Sequence, residues 1–377
     1  MSQPLDAARL SDELRSAPET PPRCASADPQ VGLLASPDCP LPIDGDCVTL
    51  AHGAGAGASA RLFEEQLWPH LANPALAARH DGAVFELGGA RLAFTTDSFV
   101  VRPIEFPGGD IGSLAVHGTL NDLAMCGARP LALSCALVLE EGLPLATLTR
   151  IMRSLGEAAR SAGVPVATGD TKVVERGKGD LVYLNTAGVG LVPHGRCLRP
   201  DRVEPGDVVL VSGALGAHGA AVLSVREGIA FDSEIRSDSA HLGGLVERML
   251  EAAPELHCLR DPTRGGVGAL LHEIARAAGC EIELDQDAIP VEEPVRAVCE
   301  LLGLDPLFLA SEGRCVAFAA ETQADRVLEA MRAHPLGRDA ARIGRVASGR
   351  PRVVLRTRMG SRRLLLLPVG EPLPRIC

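Results

Sequence analysis

Short apolar runs alternate along this chain with longer stretches whose apolar positions recur at helical spacing, the pattern of mixed α/β layers rather than of a bundle or a sandwich. Cys47 to Leu50 and Ala83 to Phe94 are predicted as strands. Asp110 is placed to cap a helix that runs to Gly127, where a glycine and then Pro130 stop it. From Leu145 to Ala162 a helix is predicted, with Leu145, Leu148, Ile151, Met152, Leu155, Ala158, Ala159 and Ala162 forming a core-facing stripe. Val164 to Ala167 reads as a strand leading into Thr168-Gly169-Asp170-Thr171-Lys172, and Leu181 to Val192 as another.

Pro193 to Gly206 is rich in Pro, Gly and charge, which puts a domain boundary near residue 200. Asp207 to Val211 opens a second α/β unit that runs to about residue 346; Val353 to Leu355 and Leu364 to Leu367 can form edge strands, and Pro368, Pro372 and Pro374 carry the chain away as an extended arm. The first 46 residues have too little apolar surface to offset ordering entropy and read as a flexible extension. The expected organisation is therefore an extension (1–46), two α/β domains (47–199 and 200–346) and a tail (347–377).

Composition narrows the classes. At 377 residues and 46% hydrophobic, the chain is long enough for two cores. A formal net charge of −11 without basic runs argues against nucleic acid. No segment approaches the roughly 20 apolar residues of a membrane helix, and the start does not read as a secretory signal, so a cytoplasmic protein is expected. Eleven cysteines without a CxxC pair fit neither a disulfide framework nor a zinc site.

Asp97, Asp122 and Asp170 stand where strands or helices run out, and three such carboxylates meeting in one cleft would hold Mg2+ beside substrate phosphates; alternatively each caps its own backbone. The Gly53-Ala54-Gly55-Ala56-Gly57 loop before a helical stretch, Ser59 to Trp68, suits an anion. Gly55, Gly57 and Ala60 also have dinucleotide-fingerprint spacing, but Asp81 precedes the following apolar run and Glu86 lies inside it, where a Rossmann acid would close the second strand. There is no Walker A pattern. In Asp261-Pro262-Thr263-Arg264-Gly265-Gly266-Val267, Asp261 or Thr263 can cap the helix Gly268 to Ala278, or Arg264, Gly265 and Gly266 can contact phosphate. Glu312 is a solvated turn residue or a base, and Cys377, at the end of an arm that spans roughly 33 Å when extended, can be carried into a cleft as a tethered substrate carrier.

Ala51-His52-Gly53-Ala54-Gly55, Thr95-Thr96-Asp97-Ser98-Phe99, Pro107-Gly108-Gly109-Asp110, Asn121-Asp122-Leu123-Ala124, Gly169-Asp170-Thr171-Lys172-Val173-Val174, Asp261-Pro262-Thr263-Arg264-Gly265-Gly266 and Pro374-Arg375-Ile376-Cys377 together resemble the HypE family, the carbamoyl dehydratases of nickel–iron hydrogenase maturation. The resemblance implies a PurM-like two-domain α/β fold, a homodimer, and ATP with Mg2+. Asp97, Asp122 and Asp170 inherit the metal role; Gly53, Gly55, Asn121, Gly169, Thr171, Arg264, Gly265 and Gly266 fall in the nucleotide motifs. It further implies that a HypF-like carbamoyltransferase loads Cys377, that Glu312 is the base and Lys172 its polar partner, and that the resulting cyano group passes to iron on a HypC–HypD complex. Dehydrating a carboxamide independently requires a phosphorylated oxygen as leaving group and a carboxylate whose pKa is raised by shielding from water. Ser311 departs from the asparagine expected before Glu-Gly-Arg, and the glycine loop is alanine-substituted. The rivals are another PurM-like phosphotransferase, of selenophosphate synthetase or thiamine-phosphate kinase type, and a non-catalytic carrier. The first of these places a reactive Cys or selenocysteine near the glycine loop, where this chain has only Gly and Ala.

Overall fold

In the computed structural model, residues 48–228, 235–368 and 375–377 are described. The expected N-terminal extension, Cys47, and Pro372 and Pro374 of the expected arm lie outside the described residues. The predicted strand at 47–50 is absent from its described part. Leu50–Gly53 is a 3-10 turn whose backbone groups are met locally, with the Thr49 N–H donating to His52 Nδ1 at 2.9 Å, so no strand partner is called for. A helical stretch follows in three pieces, Gly57–Leu62, a π turn Phe63–Leu67, and Trp68–Leu71.

The predicted strand at 83–94 is instead a hairpin of β1 (Ala83–Leu87) and β2 (Ala90–Phe99). Its turn is Gly88-Gly89, both at positive φ, a two-residue connection that side chains other than glycine resist. Asp97 consequently lies inside β2 rather than after it. Helix α1 (Ile111–Met125) starts as predicted at Asp110, whose carboxylate accepts from the Ser113 N–H at 2.9 Å, and ends before Gly127 at φ +70. Then come β3 (Arg129–Glu140), α2 (Leu145–Ser161), β4 (Val166–Val174) and β5 (Val182–Val192). The α2 stripe buries Ile151, Leu155 and Ala159, while Leu145 at its start is exposed.

These strands form a five-stranded sheet in the order β1-β2-β5-β3-β4, antiparallel except for the β3–β4 pair that α2 connects. Strand β5 alternates buried and half-buried positions because only one face of the sheet is covered, by α1 and α2. The other face carries exposed Phe94, Leu131, Val138 and Leu191.

The second half behaves differently. Strand β6 (Asp207–Val211) is buried at every position, with Val209 and Val211 in one apolar cluster and Val208 and Leu210 in another. Its uninterrupted Val-Val-Leu-Val run reflects a sheet covered on both faces. After β6 come α3 (Ala217–Arg226), α4 (Gly243–Ala252), β7 (Cys258–Arg260), α5 (Gly266–Ala278), β8 (Glu281–Asp285), α6 (Glu293–Leu302), β9 (Val316–Ala320), α7 (Glu321–Arg332), β10 (Ala341–Ala347), β11 (Arg352–Arg356) and β12 (Arg362–Leu364). The seven strands order as β12-β11-β8-β10-β6-β9-β7, with α5 on one face and α4 and α7 on the other. Of the two predicted edge strands, 353–355 lies in β11, which is paired on both sides, while 364–367 shares only Leu364 with β12, the strand at the edge. Among the described residues no helix is long and apolar enough to cross a membrane.

Glu247 on α4 ties the two halves together. Its carboxylate takes two bonds of 2.7 Å from Arg196 and further bonds from Arg129 at the start of β3. The Arg196 hydrogen bonds, helped by Arg129, hold its pKa down to about 2. Because the folded-state value is depressed, the stabilisation is present above the ordinary value near 4.5 and is lost as pH falls towards 2. Glu247→Gln should therefore cost on the order of 1 kcal/mol at pH 7, solvent reaching the pair, and the gap to wild type should narrow at pH 3 and close only near pH 2 in urea unfolding.

Candidate active site

Four aspartates converge where the two sheets approach α1. Asp81 precedes β1, Asp97 lies in β2, Asp122 is near the end of α1, and Asp261 follows β7. Carboxylate oxygens of Asp81, Asp122 and Asp261 all lie within 4.8 Å of one another. Thr95 Oγ1 lies 2.7 Å from Asp122 Oδ2 and 2.8 Å from the Asp81 carbonyl, and Arg260 Nε is 2.5 Å from Asp81 Oδ1. Asp81 Oδ2 is buried without a hydrogen-bond partner. Burial, then the neighbouring carboxylates Asp97, Asp261 and Asp81, pushes the Asp122 carboxyl well above its ordinary range; Asp261 is pushed the same way by burial, Asp81 and Glu312. Burial also raises Asp97, against the pull of Arg264. An all-oxygen donor set with surplus negative charge and an orphaned carboxylate oxygen fits a hard divalent cation.

The two glycine turns pack on each other beside this cluster. Gly55 sits at φ +78, and a Cβ there would lie 2.8 Å from the Arg264 backbone, so glycine is required for the approach. Arg264 donates to the Gly53 carbonyl at 3.1 Å, and Gly265 forms the N-cap of α5, which begins at Gly266. Arg264 thus brings a positive charge close enough to act on Asp97, and α5 begins two residues after it.

Residues 375–377 return to this place. Ile376 is fully buried in an apolar cluster shared by both halves, which contributes about 2 kcal/mol to holding the segment. Cys377 hydrogen-bonds the carboxylate of Glu312. Glu312 is only 2% exposed, and burial, with Asp238 and Asp97 nearby, raises its pKa to about 8 against the opposing pull of Arg264 and the Cys377 bond. Its position is set from several sides. Its N–H donates to Asp238 Oδ1 at 3.1 Å, and its carbonyl accepts from Asn121 Nδ2 at 3.2 Å. The following Gly313 admits no side chain, since a Cβ would fall 1.8 Å from the Asp238 carbonyl oxygen. Asn121 also bonds Ala240 O and the Leu242 N–H, so its whole amide is engaged in holding backbone. Ser311, where asparagine was expected, accepts from the Gly216 N–H at 2.8 Å and is fully buried.

The structure does not bring Asp170 to the other aspartates within one chain. It lies in the middle of β4, an edge strand, and in the register Asp97–Thr186–Cys135–Gly169 three strand spacings, about 14 Å, separate β4 from β2. Lys172 binds Asp170 at 2.6 and 2.7 Å on that exposed strand. Gly169 and Thr171 share this location, and together with Asp170 they line an open groove of about 530 Å³ against α2. Within one chain the three carboxylates expected to share a cleft do not meet, and Asp81 and Asp261 stand beside Asp122.

The AIR synthase related protein families match this chain twice, the N-terminal domain at residues 79–192 and the C-terminal domain at 204–356. A carbamoyl dehydratase HypE from Azotobacter vinelandii is 55% identical over 331 residues, covering 88% of this chain and 97% of that protein. The chain belongs to the HypE carbamoyl dehydratase family. Among solved HypE structures, one of a HypE–HypF complex aligns with a TM-score of 0.78 at 43% identity over 81% of this chain and 99% of that one. Another, HypE in complex with ATP, aligns at 0.74 and 46% identity over 88% and 100%. In this HypE-family chain, Asp81 and Asp238 carry no local motif, and Asp261 reads from sequence as a cap.

Because the buried carboxylates repel one another, removing one charge should stabilise the ligand-free fold. Asp122→Asn should raise the thermal midpoint at pH 8 by about 2 °C or more. The pKa is raised in the fold, so the penalty is largest at high pH, and the gain should shrink at pH 5.

Proposed function

We propose that this chain is an ATP-dependent carbamoyl dehydratase that converts an S-carbamoyl group on Cys377 into a thiocyanate, the source of cyanide for the iron of a nickel–iron hydrogenase. The observation that carries the reading is Cys377 docked against a buried Glu312 whose pKa is about 8, at the rim of the aspartate cluster. Magnesium-bound ATP supplies a γ-phosphoryl group that turns the carboxamide oxygen into a leaving group. The protein's own part is position and proton transfer. Asp81, Asp97, Asp122 and Asp261 would hold the cation, and the Gly53–Gly55 loop with Arg264, Gly265 and Gly266 the phosphates. Glu312 takes the amide protons as the C–N multiple bond forms and the C–O bond breaks, so thiocarbamate and ATP yield thiocyanate, ADP and phosphate.

A HypF-like carbamoyltransferase is the expected donor, supported by the solved complex of a relative, and a HypC–HypD complex the acceptor. The exposed apolar face of the first sheet supports a homodimer, and only a neighbouring chain would let Asp170 and Lys172 reach a nucleotide. A cytoplasmic setting fits thiols that carry chemistry.

Phosphate release from ATP should rise at least about tenfold once Cys377 is carbamoylated. Glu312→Gln should slow dehydration by about 10²–10⁴ while leaving loading intact. Since Glu312 works ionised, the wild-type rate should climb with pH and level off above about 8. Phosphate release indifferent to carbamoylation would sink the reading.

A further inference from the structure

The contacts that seat residues 375–377 lie outside the acidic cluster and the glycine turns. The backbone adds to the end of β2: the Arg102 N–H donates to Arg375 O at 3.2 Å and the Val100 N–H to Cys377 O at 3.1 Å. Arg226 donates to Arg375 O at 2.8 Å and to Arg102 O at 2.6 Å, clamping both strands of this short pairing. The Arg375 side chain bonds Asp180 at 2.6 Å and Val100 O at 3.0 Å, and lies 5.8 Å from the centre of the Tyr183 ring.

His218 holds the next residue. Its Nε2 is 2.8 Å from the Ile376 carbonyl and its Nδ1 is 2.8 Å from Ser237 Oγ. A carbonyl only accepts, so the proton is on Nε2 and Nδ1 accepts from the serine hydroxyl. Burial keeps the ring neutral, with its pKa down at about 4, and Phe106 packs against it edge-on at 5.2 Å.

We infer that Val100–Arg102, Asp180, His218 and Arg226 form a receptor that reads the sequence Arg375-Ile376-Cys377, with Asp180 and His218 as positioning residues that set where the Cys377 sulfur stops against Glu312. Main-chain pairing supplies attachment, and the two side chains before the cysteine supply specificity, as in strand-addition recognition of peptides. His218 fixes the depth of insertion, because its bond falls on the residue directly before the cysteine. The inference deepens the dehydratase reading and rests on it for its purpose, not for the binding itself.

The test is alkylation of Cys377 by iodoacetamide in the full chain, resolved peptide by peptide, with half-buried Cys197 as internal reference. Asp180→Asn, Ile376→Ala and His218→Leu are expected to raise Cys377 labelling about tenfold relative to Cys197, the weight of one charge-assisted bond or one buried side chain. His218→Gln, whose side-chain amide can donate in place of Nε2–H, is expected to stay within about twofold of wild type. Asp180 is partly exposed, so its variant reports on the tail even if a His218 variant folds poorly. Wild-type labelling in both Asp180→Asn and Ile376→Ala overturns the receptor. Labelling needs neither ATP nor a carbamoyl donor, so the two readings fail separately. Unchanged labelling with normal dehydration removes the receptor alone. Raised labelling in variants of a protein that never dehydrates carbamoylated Cys377 removes the dehydratase alone.

Discussion

A surplus of buried negative charge governs this molecule. Asp97, Asp122, Asp261 and Glu312 are each pushed towards protonation by burial and by one another, with Arg260 and Arg264 as the opposing charges among their strongest influences. Such a cluster destabilises the chain that carries it and is compensated by a cation or by a proton. Both are what phosphoryl transfer followed by amide deprotonation requires: oxygen ligands for a divalent ion, and a carboxylate basic enough to work near neutral pH.

The cluster is assembled from both halves of the chain, so its geometry depends on how firmly they are joined. Asn121 of α1 holds the backbone of Glu312 and Leu242, and Glu247 of α4 holds Arg129 and Arg196. The Cys377 segment crosses the same junction, pairing its backbone with residues 100–102 of the first half and bonding His218 of the second. A group carried on Cys377 would reach Glu312 without a bimolecular encounter, and such tethering is worth several orders of magnitude in rate when the geometry is held.

Much of this was legible in the residues, and the failures have physical causes. Helix α1, with its aspartate cap and glycine stop, and β6, with its unbroken apolar run, follow from local rules. Position 312 needed context: a glutamate after Leu307–Ala310 reads as solvated, and only the fold buries it. The Gly88-Gly89 turn splits a run that apolar content alone makes continuous. Asp170 groups with Asp97 and Asp122 in the sequence because each stands where a strand or helix is expected to run out, yet sheet order, which depends on long-range pairing, sets it three strands from Asp97 within the chain. Asp81 and Asp238 could not have been found locally, since their partners lie far along the chain.

Intact-mass spectrometry of the protein after loading by a HypF-like carbamoyltransferase, beside a Cys377→Ala control, tests the central claim most directly. The account predicts a gain of one carbamoyl group that loses one water only when ATP and Mg2+ are added, with neither change in the control. A carbamoyl adduct at Cys377 that keeps its water in the presence of ATP and Mg2+, or an adduct of equal yield in Cys377→Ala, would contradict it.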